Sequence, residues 1–318
     1  MRRTPVFVVA ISALWATTCA AQSCNQAPAQ KYGGPLFDAM AQVESREAGA
    51  VVRRMDKAGV ARMALFARLH PKRNGEQDVL SLKERTPGRF VLGTPKPFDQ
   101  RQDLSDDFVE RTTSGLDAGR YRFVGEILFA HADKAHGEQT ATGERYVSSD
   151  GKNVQRMLAA ISKRPVPVIA HWEAYNWSRD WPAFDALYGA FPAITFIWPH
   201  AGFGSAPQVE TVIASRPNVM VTLSKKELSE RSVSDPRLAA ELAPAMVDAC
   251  GVVLPEWRRL LEKHPDRFLF ATDAHKDFRW ARYESVVDQW RLILGQLPAP
   301  LAENVAWRNA ERLYAAQP

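Results

Sequence analysis

The sequence predicts an α/β fold, a (β/α)₈ TIM barrel, from three observations. From Leu36 onward, short apolar runs of strand length alternate with segments of helical spacing. Eight such runs occur, and the steps between their ends are 28, 30, 31, 43, 29, 24 and 49 residues. A barrel of about 250 residues divides into eight units of about 31 residues, which fits this spacing. An open, doubly wound sheet is the alternative architecture.

The first half of the chain supplies four strands and the helices that follow them. The strand candidates are rich in β-branched and aromatic residues, and the helices carry apolar residues on one face. The predicted strands are 36–40, 60–67, 90–93 and 122–129, and the predicted helices are 47–57, 77–85, 108–118 and 153–162. A polar loop over 130–151 is long for an ordinary connection, which is typical of a functional lid or of disorder.

The second half repeats the arrangement. The predicted strands are 166–170, 194–198, 219–223 and 268–272, and the helices between them are 181–191, 207–215 and 256–263. A second long excursion covers 225–255, and two closing helices over 283–297 and 302–315 end the chain.

The first 21 residues are typical of a secretory signal peptide. Arg2 and Arg3 precede an apolar run that is too short to span a bilayer, and small residues follow it. The predicted domains are therefore a signal peptide over 1–21 and one barrel domain over 35–315. We expect a periplasmic or secreted protein without a stable membrane anchor; a disordered or buried N-terminal helix and a membrane anchor are the alternatives.

The composition bears on the class of binding partner, and the cysteine content on a possible disulfide. The net charge is +5 at pH 7, and loss of Arg2 and Arg3 leaves 39 basic against 36 acidic residues without a basic block. This pattern excludes a nucleic-acid partner and favours a small-molecule substrate. After cleavage, Cys24 and Cys250 would be the only cysteines, and they could form a disulfide or stay unpaired.

Polar residues that can carry chemistry stand at the ends of several predicted strands. His171, His200 and Asp273 each follow a strand directly, and Glu126 lies near the end of the fourth. Active sites of such barrels lie at the C-terminal ends of the strands, so we expect these side chains to share one site. Two imidazoles and a carboxylate can hold a divalent metal or activate a water. A single histidine of this kind is more often structural, but their common position favours a site.

Cations and one tryptophan suggest how a substrate could bind. Arg68, Lys96 and Lys225 follow other strand ends, which predicts an electropositive pocket for a carboxylate or another anion. Solvated loop charges are the alternative. Trp172 follows His171 and is predicted to contact a ring of the substrate, with packing against a helix as the alternative.

The motifs at the strand ends resemble those of the amidohydrolase superfamily. The order is similar to the branch that contains aminocarboxymuconate decarboxylase-like enzymes and pyrone lactonases, and the resemblance covers Pro35 to Tyr314. It implies the barrel of metallo-dependent hydrolases. The motifs are Phe37-Asp38-Ala39, Val124-Gly125-Glu126, Ile169-Ala170-His171, Trp198-Pro199-His200-Ala201-Gly202 and Phe270-Ala271-Thr272-Asp273.

The resemblance also implies roles for these residues. His171, Asp273 and His200 would be metal ligands, and Asp273, His200 and Glu126 would be catalytic, with Asp273 accepting the proton of the attacking water. The family's first strand carries two metal-binding histidines where this chain has Met40 and Gln42. A thioether and an amide are poor ligands for such ions. We therefore expect one divalent metal, zinc first, with reduced affinity, or no metal.

The sequence thus predicts an exported amidohydrolase-like hydrolase. It would cleave an ester, lactone or amide of a small anionic or ring-bearing substrate by attack of water on a carbonyl. The resemblance implies that this chemistry is possible without a metal, as in related lactonases. The alternatives are a non-catalytic binding or scaffold barrel that has lost the metal, and a decarboxylase of the same branch.

Overall fold

The computed structural model describes residues 30–68, 75–96, 101–133, 140–227 and 245–315. The strands are β1 (Leu36–Val43), β2 (Val60–Ala67), β3 (Phe90–Leu92), β4 (Val124–Asp133), β5 (Thr140–Tyr146), β6 (Val168–Trp172), β7 (Phe196–Trp198), β8 (Val219–Thr222) and β9 (Phe268–Leu269). The helices are α1 (Ser45–Ala48), α2 (Val51–Ala58), α3 (Gly75–Arg85), α4 (Asp106–Asp117), α5 (Lys152–Ile161), α6 (Trp177–Ala190), α7 (Ala206–Ser215), α8 (Pro255–Lys263), α9 (Asp277–Ala281), α10 (Tyr283–Leu294), α11 (Ala299–Glu303) and α12 (Asn309–Ala315).

All the strands except β5 run parallel, and they close into a barrel. One sheet has the order β1-β2-β3, and a second has the order β5-β4-β6-β7-β8-β9. The two sheets meet at two seams. At one seam Gly93 pairs in parallel with Phe123. At the other, the backbone N–H of Asp273 donates to the carbonyl of Met40 at 2.9 Å. The two seams join the sheets into a ring, which confirms the predicted TIM barrel.

Opposite faces of the same strands fill the barrel interior and the layer under the helices. In β6, Ile169 belongs to the interior cluster, whereas Val168 and Ala170 belong to the cluster that packs under the helices. Successive side chains of a strand point to opposite faces. His171 therefore shares the interior side with Ile169, and Trp172 lies on the helix side.

The connection after β4 contains a strand where the sequence predicts a polar loop. β4 continues to Asp133 and pairs antiparallel with β5, with His131 opposite Arg145. Glu144 of β5 accepts hydrogen bonds from Tyr175 and from Arg179, whose Nη1 lies 2.6 Å from Oε1. These contacts fasten the β4–β5 hairpin to the segment that follows β6. The expected polar loop is thus in part an antiparallel strand.

Several predictions concern residues outside the described ranges. The predicted signal peptide and most of the excursion over 225–255 lie there. Cys250 lies within the described ranges and is disulfide-bonded. The other cysteines of the chain, Cys19 and Cys24, lie outside them. Among the helices that the structure describes, none combines the length and the apolar character that crossing a membrane requires.

A buried carboxylate braces the seam between the first and last strands. Asp38 is fully buried and accepts hydrogen bonds from the backbone N–H of Thr272 at 3.0 Å and from its hydroxyl at 2.7 Å. The hydroxyl of Tyr283 donates to the same carboxylate at 3.1 Å. Burial raises the pKa of Asp38 to about 6, although the hydrogen bonds from Thr272 oppose the rise. Asp38 therefore ties β1 to the residue before Asp273.

Replacing Asp38 with alanine is expected to lower the free energy of unfolding by about 2–4 kcal/mol, because the buried donors of Thr272 lose their acceptor. Asp56→Ala is the control, since this exposed carboxylate pairs with Arg89 at the surface. Its effect should stay below about 1 kcal/mol. Urea unfolding followed by circular dichroism measures both. Equal effects would show that the Asp38 network gives the seam no particular stability.

Candidate active site

A cavity of about 270 Å³ lies at the C-terminal ends of the barrel strands. Seven of the eight side chains that the sequence nominates for the site line it, namely Arg68, Lys96, Glu126, His171, His200, Lys225 and Asp273. The rest of the lining is Gln42, Leu128, His131, Arg145, His275 and Lys276. The strand ends therefore bring most of the predicted residues together.

Trp172 lies away from this cavity, on the helix side of the barrel wall. Its ring stacks on Trp198 and Phe184, with centroids 4.4 and 4.8 Å away, and its Nε1 donates to the hydroxyl of Tyr188 at 2.8 Å. The prediction that Trp172 contacts a ring of the substrate is therefore corrected: Trp172 packs against the helix layer. Because side chains alternate along β6, the neighbour of a cavity-facing His171 must face outward.

Gln42 bridges two carboxylates of the cavity. Its Nε2 donates to Asp273 Oδ1 at 2.7 Å and to Glu126 Oε2 at 3.1 Å. Its Oε1 accepts from Arg68 Nη1 at 2.9 Å, which fixes the orientation of the amide because a guanidinium only donates. The position where the resemblance expects a metal-binding histidine therefore supplies protons, and no lone pair, to the space between the two carboxylates.

Each of these two carboxylates also has a lysine. Lys96 Nζ forms an ion pair with Glu126, and Lys225 Nζ lies 3.1 Å from Asp273 Oδ2. Burial alone would raise the pKa of both acids. Burial is the largest single influence, but the neighbouring groups together outweigh it: Lys96 and His171 beside Glu126, and Lys225 and His275 beside Asp273. The pKa of Glu126 therefore lies well below 4.5 and that of Asp273 well below 3.8. Both acids are therefore ionised at neutral pH.

His171 is held between two carboxylates. Its Nδ1 lies 2.7 Å from Glu126 Oε1, and its Nε2 lies 3.0 Å from Glu173 Oε1. Burial lowers the pKa of His171, but these hydrogen bonds reverse the shift and raise it above 6.5. Glu173 is fully buried and also accepts from the backbone N–H of Ala132 at 3.1 Å. Glu173 was not predicted from the sequence, although it follows His171 by two residues, which is the spacing that repeats one face of a strand.

His200 stays neutral beside Asp273. Its Nδ1 lies 2.8 Å from Ser224 Oγ, and its Nε2 lies 3.7 Å from Asp273 Oδ2. Burial and the charge of Lys225 hold the pKa of His200 well below 6.5. Because the Ser224 hydroxyl can donate to Nδ1 or accept from it, Nε2 can carry either a lone pair or a proton toward the cavity.

His275 adds a second neutral imidazole next to Asp273. Its Nδ1 lies 3.3 Å from Asp273 Oδ2, and burial lowers the pKa of His275 to about 4. His275, two residues after Asp273, was also not predicted from the sequence. His131 reaches the cavity from the β4–β5 hairpin, where its ring stacks on His171 with centroids 5.2 Å apart. The long connection after β4 therefore contributes to the site.

A left-handed turn after β7 carries His200 into the cavity. Left-handed backbone costs about 1–2 kcal/mol for each residue with a Cβ. The turn consists of His200, Ala201, Gly202 and Phe203, with φ of 59°, 51°, 58° and 53°. Lys225 and Asp273 also have positive φ, at 66° and 48°. Such strain concentrates where surrounding structure enforces it, and here it coincides with the site.

Comparisons with known proteins agree on one family and one fold. A family model described as amidohydrolase matches residues 12–316. The chain is similar to an uncharacterized TIM-barrel protein of Bordetella bronchiseptica, with a TM-score of 0.58, 14% identity, and coverage of 89% of this chain and 99% of that chain.

Two further solved structures share the fold. A probable 2-pyrone-4,6-dicarboxylic acid hydrolase of Acinetobacter baumannii, solved with citric acid bound, has a TM-score of 0.56 and 10% identity, covering 88% of this chain and 99% of that chain. A D-hydantoinase has a TM-score of 0.54 and 11% identity, covering 88% of this chain and 70% of that chain. No curated protein matches the sequence.

Members of this family commonly use a metal, and Glu126, His171 and His200 place three candidate donor atoms within 4.8 Å of one another. The grouping contains Glu126 where the sequence predicts Asp273. The hydrogen bonds of these residues do not leave lone pairs available for a metal. Both nitrogens of His171 lie within hydrogen-bond distance of a carboxylate oxygen, so neither directs a free lone pair at a metal. Glu126 is already paired with Lys96. The donor set therefore fits a divalent cation poorly.

Replacing Gly202 with alanine is expected to distort the turn that carries His200. A Cβ there would lie 2.0 Å from the ring of Trp198, at a φ of +58°. The expected loss of stability is about 2–4 kcal/mol. Gly49→Ala is the control, because its Cβ would meet no atom within 4 Å at a φ of −67°. Chemical denaturation compares the two. A Gly202→Ala protein as stable as the control would show that the turn relaxes without cost.

Proposed function

Because this chain belongs to the amidohydrolase family, we propose that it is a hydrolase for a small anionic ester, lactone or amide. Attack of water on the carbonyl carbon is the proposed reaction. The supporting observation is the convergence of an ionised Asp273 and a neutral His200, with Nε2 3.7 Å from Oδ2, in a cavity lined by cations. Within the family, the pyrone lactonase-like branch fits this proposal better than the decarboxylase-like branch, since the donor set fits a metal poorly.

Asp273 and His200 divide the work in the proposed mechanism. A water held between them attacks the carbonyl carbon, and Asp273 accepts a proton from it as the new C–O bond forms. His200 Nε2 donates to the developing oxyanion. When the bond to the leaving oxygen or nitrogen breaks, the proton on Asp273 passes to the leaving group. Water is thus added across the cleaved bond, and Asp273 and His200 return to their starting states.

The charge of the cavity supports an anionic substrate. Its lining contains five cationic side chains against two carboxylates, namely Arg68, Lys96, Arg145, Lys225 and Lys276 against Glu126 and Asp273. Leu128 is the apolar member of this lining. A pocket of this composition attracts carboxylates and gives a large apolar ring little surface to contact. We therefore assign Arg68, Lys96 and Lys225 to substrate binding and leave Trp172 out.

The position of Met40 supports an enzyme over a non-catalytic binding barrel. If Met40 filled the cavity, the retained acids and histidines would be inaccessible to substrate. Met40 instead belongs to the apolar cluster of the barrel interior, and Gln42 faces the cavity. Hydrolysis therefore remains the function that the arrangement supports best.

We further propose that the protein is exported. The pattern of residues 1–21 supports a cleaved signal peptide, which would leave the barrel domain over 35–315 in the periplasm or outside the cell. The disulfide at Cys250 is consistent with an oxidising compartment.

Asp273→Asn is expected to lower kcat by about 10²–10⁴-fold, because the amide cannot accept the proton of the attacking water. A panel of small anionic lactones, esters and amides identifies the substrate with the wild-type protein. Asp288→Asn, an exposed carboxylate paired with Lys31, is the control and should match the wild type. Binding of panel members without hydrolysis, equally in all three proteins, would instead favour a binding barrel.

The pH dependence of kcat/KM should lack an acid limb near neutral pH. Asp273 and His200 have pKa values well below 3.8 and 6.5, so both keep their active forms as the pH falls through neutrality. Activity should fall on the alkaline side, as His171, whose pKa is raised above 6.5, and Lys96, whose pKa is lowered below 10.5, lose their protons. A metal-bound water would instead give an acid limb near about pH 7. That limb, measured in initial rates, would contradict the proposed mechanism.

A further inference from the structure

Two buried carboxylates, Glu126 and Asp273, line the cavity, and a third, Glu173, contacts His171 outside that lining; each lies close to a basic side chain. Glu126 pairs with Lys96, Asp273 with Lys225, and Glu173 with His171. The carboxylate side chains are 3%, 2% and 0% exposed. Charges this buried need a partner of opposite sign. In the described part of the chain, side chains alone supply this balance, and a divalent ion would add an excess of positive charge.

From this balance we propose that Lys96 and Lys225, with the amide of Gln42, take over the place and the electrostatic role of a metal ion. The ammonium groups hold the two carboxylates apart and ionised, as a bridging cation would. They also form the positive surface against which a substrate carbonyl oxygen becomes an oxyanion. The second role rests on the proposed hydrolysis, whereas the first does not depend on it.

The hydrogen-bond directions carry this inference. A metal site needs lone pairs that point at one centre. Here the amide nitrogen of Gln42 points its protons at Glu126 and Asp273, and Arg68 holds the amide in that orientation. His171 directs both ring nitrogens at carboxylates. The region between the carboxylates therefore contains proton donors where a metal would require acceptors.

The two ammonium groups are also accessible. The side chains of Lys96 and Lys225 are 12% and 9% exposed, and both line the cavity that a substrate would enter. They are fixed by their ion pairs before substrate arrives. Positive groups that are oriented in advance toward a developing oxyanion stabilise the transition state without reorganisation. This is the contribution that a Lewis-acidic metal makes in other hydrolases.

Zinc binding separates this inference from a metal site of low affinity. Equilibrium dialysis against zinc chloride, with elemental analysis, is applied to the wild type, Lys96→Met, Lys225→Met and the control Lys276→Met, which changes an exposed lysine of the same cavity. We expect the wild type and the control to exclude stoichiometric zinc. The two buried-lysine variants free a carboxylate and should bind zinc about tenfold or more tightly than the wild type.

Thermal unfolding with EDTA or with added zinc gives a second readout that needs no substrate. The wild-type Tm should be the same in both, and zinc should raise the Tm of Lys96→Met and Lys225→Met. If the methionine variants do not fold, Lys96→Arg and Lys225→Arg keep the charge and should still exclude zinc.

A wild type that holds one zinc per chain, with a Tm lowered by EDTA, would overturn the inference. Two other results would also overturn it: methionine variants that stay free of zinc, or arginine variants that take zinc up. Hydrolysis is measured separately, so a protein that excludes zinc as expected but cleaves no substrate would contradict the proposed function alone.

Discussion

An ionised carboxylate buried in a protein must have a cation or several hydrogen-bond donors beside it, and this requirement organises the end of the barrel. Glu126 and Asp273 leave different strands and converge on the same small volume. Gln42 donates to both, and one lysine pairs with each. Removing either lysine would take the ammonium charge away from one of the two buried carboxylates. The positions of the surrounding side chains are therefore linked through the two carboxylates.

Closure of the barrel sets the geometry of that cluster. The backbone N–H of Ala39 donates to Phe270, and the N–H of Gln42 donates to Ala274 at 2.8 Å. These bonds place Gln42 and Asp273 side by side at the seam. The register of β1 shifts between Asp38 and Ala41, which lets the strand present an apolar side chain to the interior and then Gln42 to the cavity. The seam thus serves the fold and the site together.

Much of this arrangement could be predicted from the sequence, since the strand ends that carry His171, His200 and Asp273 are legible as apolar runs that stop at a polar residue. Alternation along β6 could also have excluded Trp172 and found Glu173. The direction of the Gln42 amide could not be predicted, because it depends on Arg68 from a neighbouring strand.

The β4–β5 hairpin was beyond sequence reasoning for a different reason. Strand β5 has the sequence Thr-Ala-Thr-Gly-Glu-Arg-Tyr, which contains too few apolar residues to predict a strand. Its position depends on tertiary contacts, chiefly those of Glu144 with Tyr175 and Arg179. The left-handed turn at His200 depends in the same way on the surrounding packing, including the close approach of Gly202 to Trp198.

The departure from the family's first-strand pattern therefore involves several side chains of the cavity and not Gln42 alone. A histidine at position 42 would restore one lone pair, but it would face two acids already paired with Lys96 and Lys225, beside a His171 that has none to offer. When one side chain around the carboxylates changes from a metal ligand to a proton donor, donors are favoured at the other positions around them too. The reason is that the carboxylates bind either a metal or protons from several neighbours. In this chain Gln42, Lys96 and Lys225 supply those protons. The side chains that a metal would have held are held by one another.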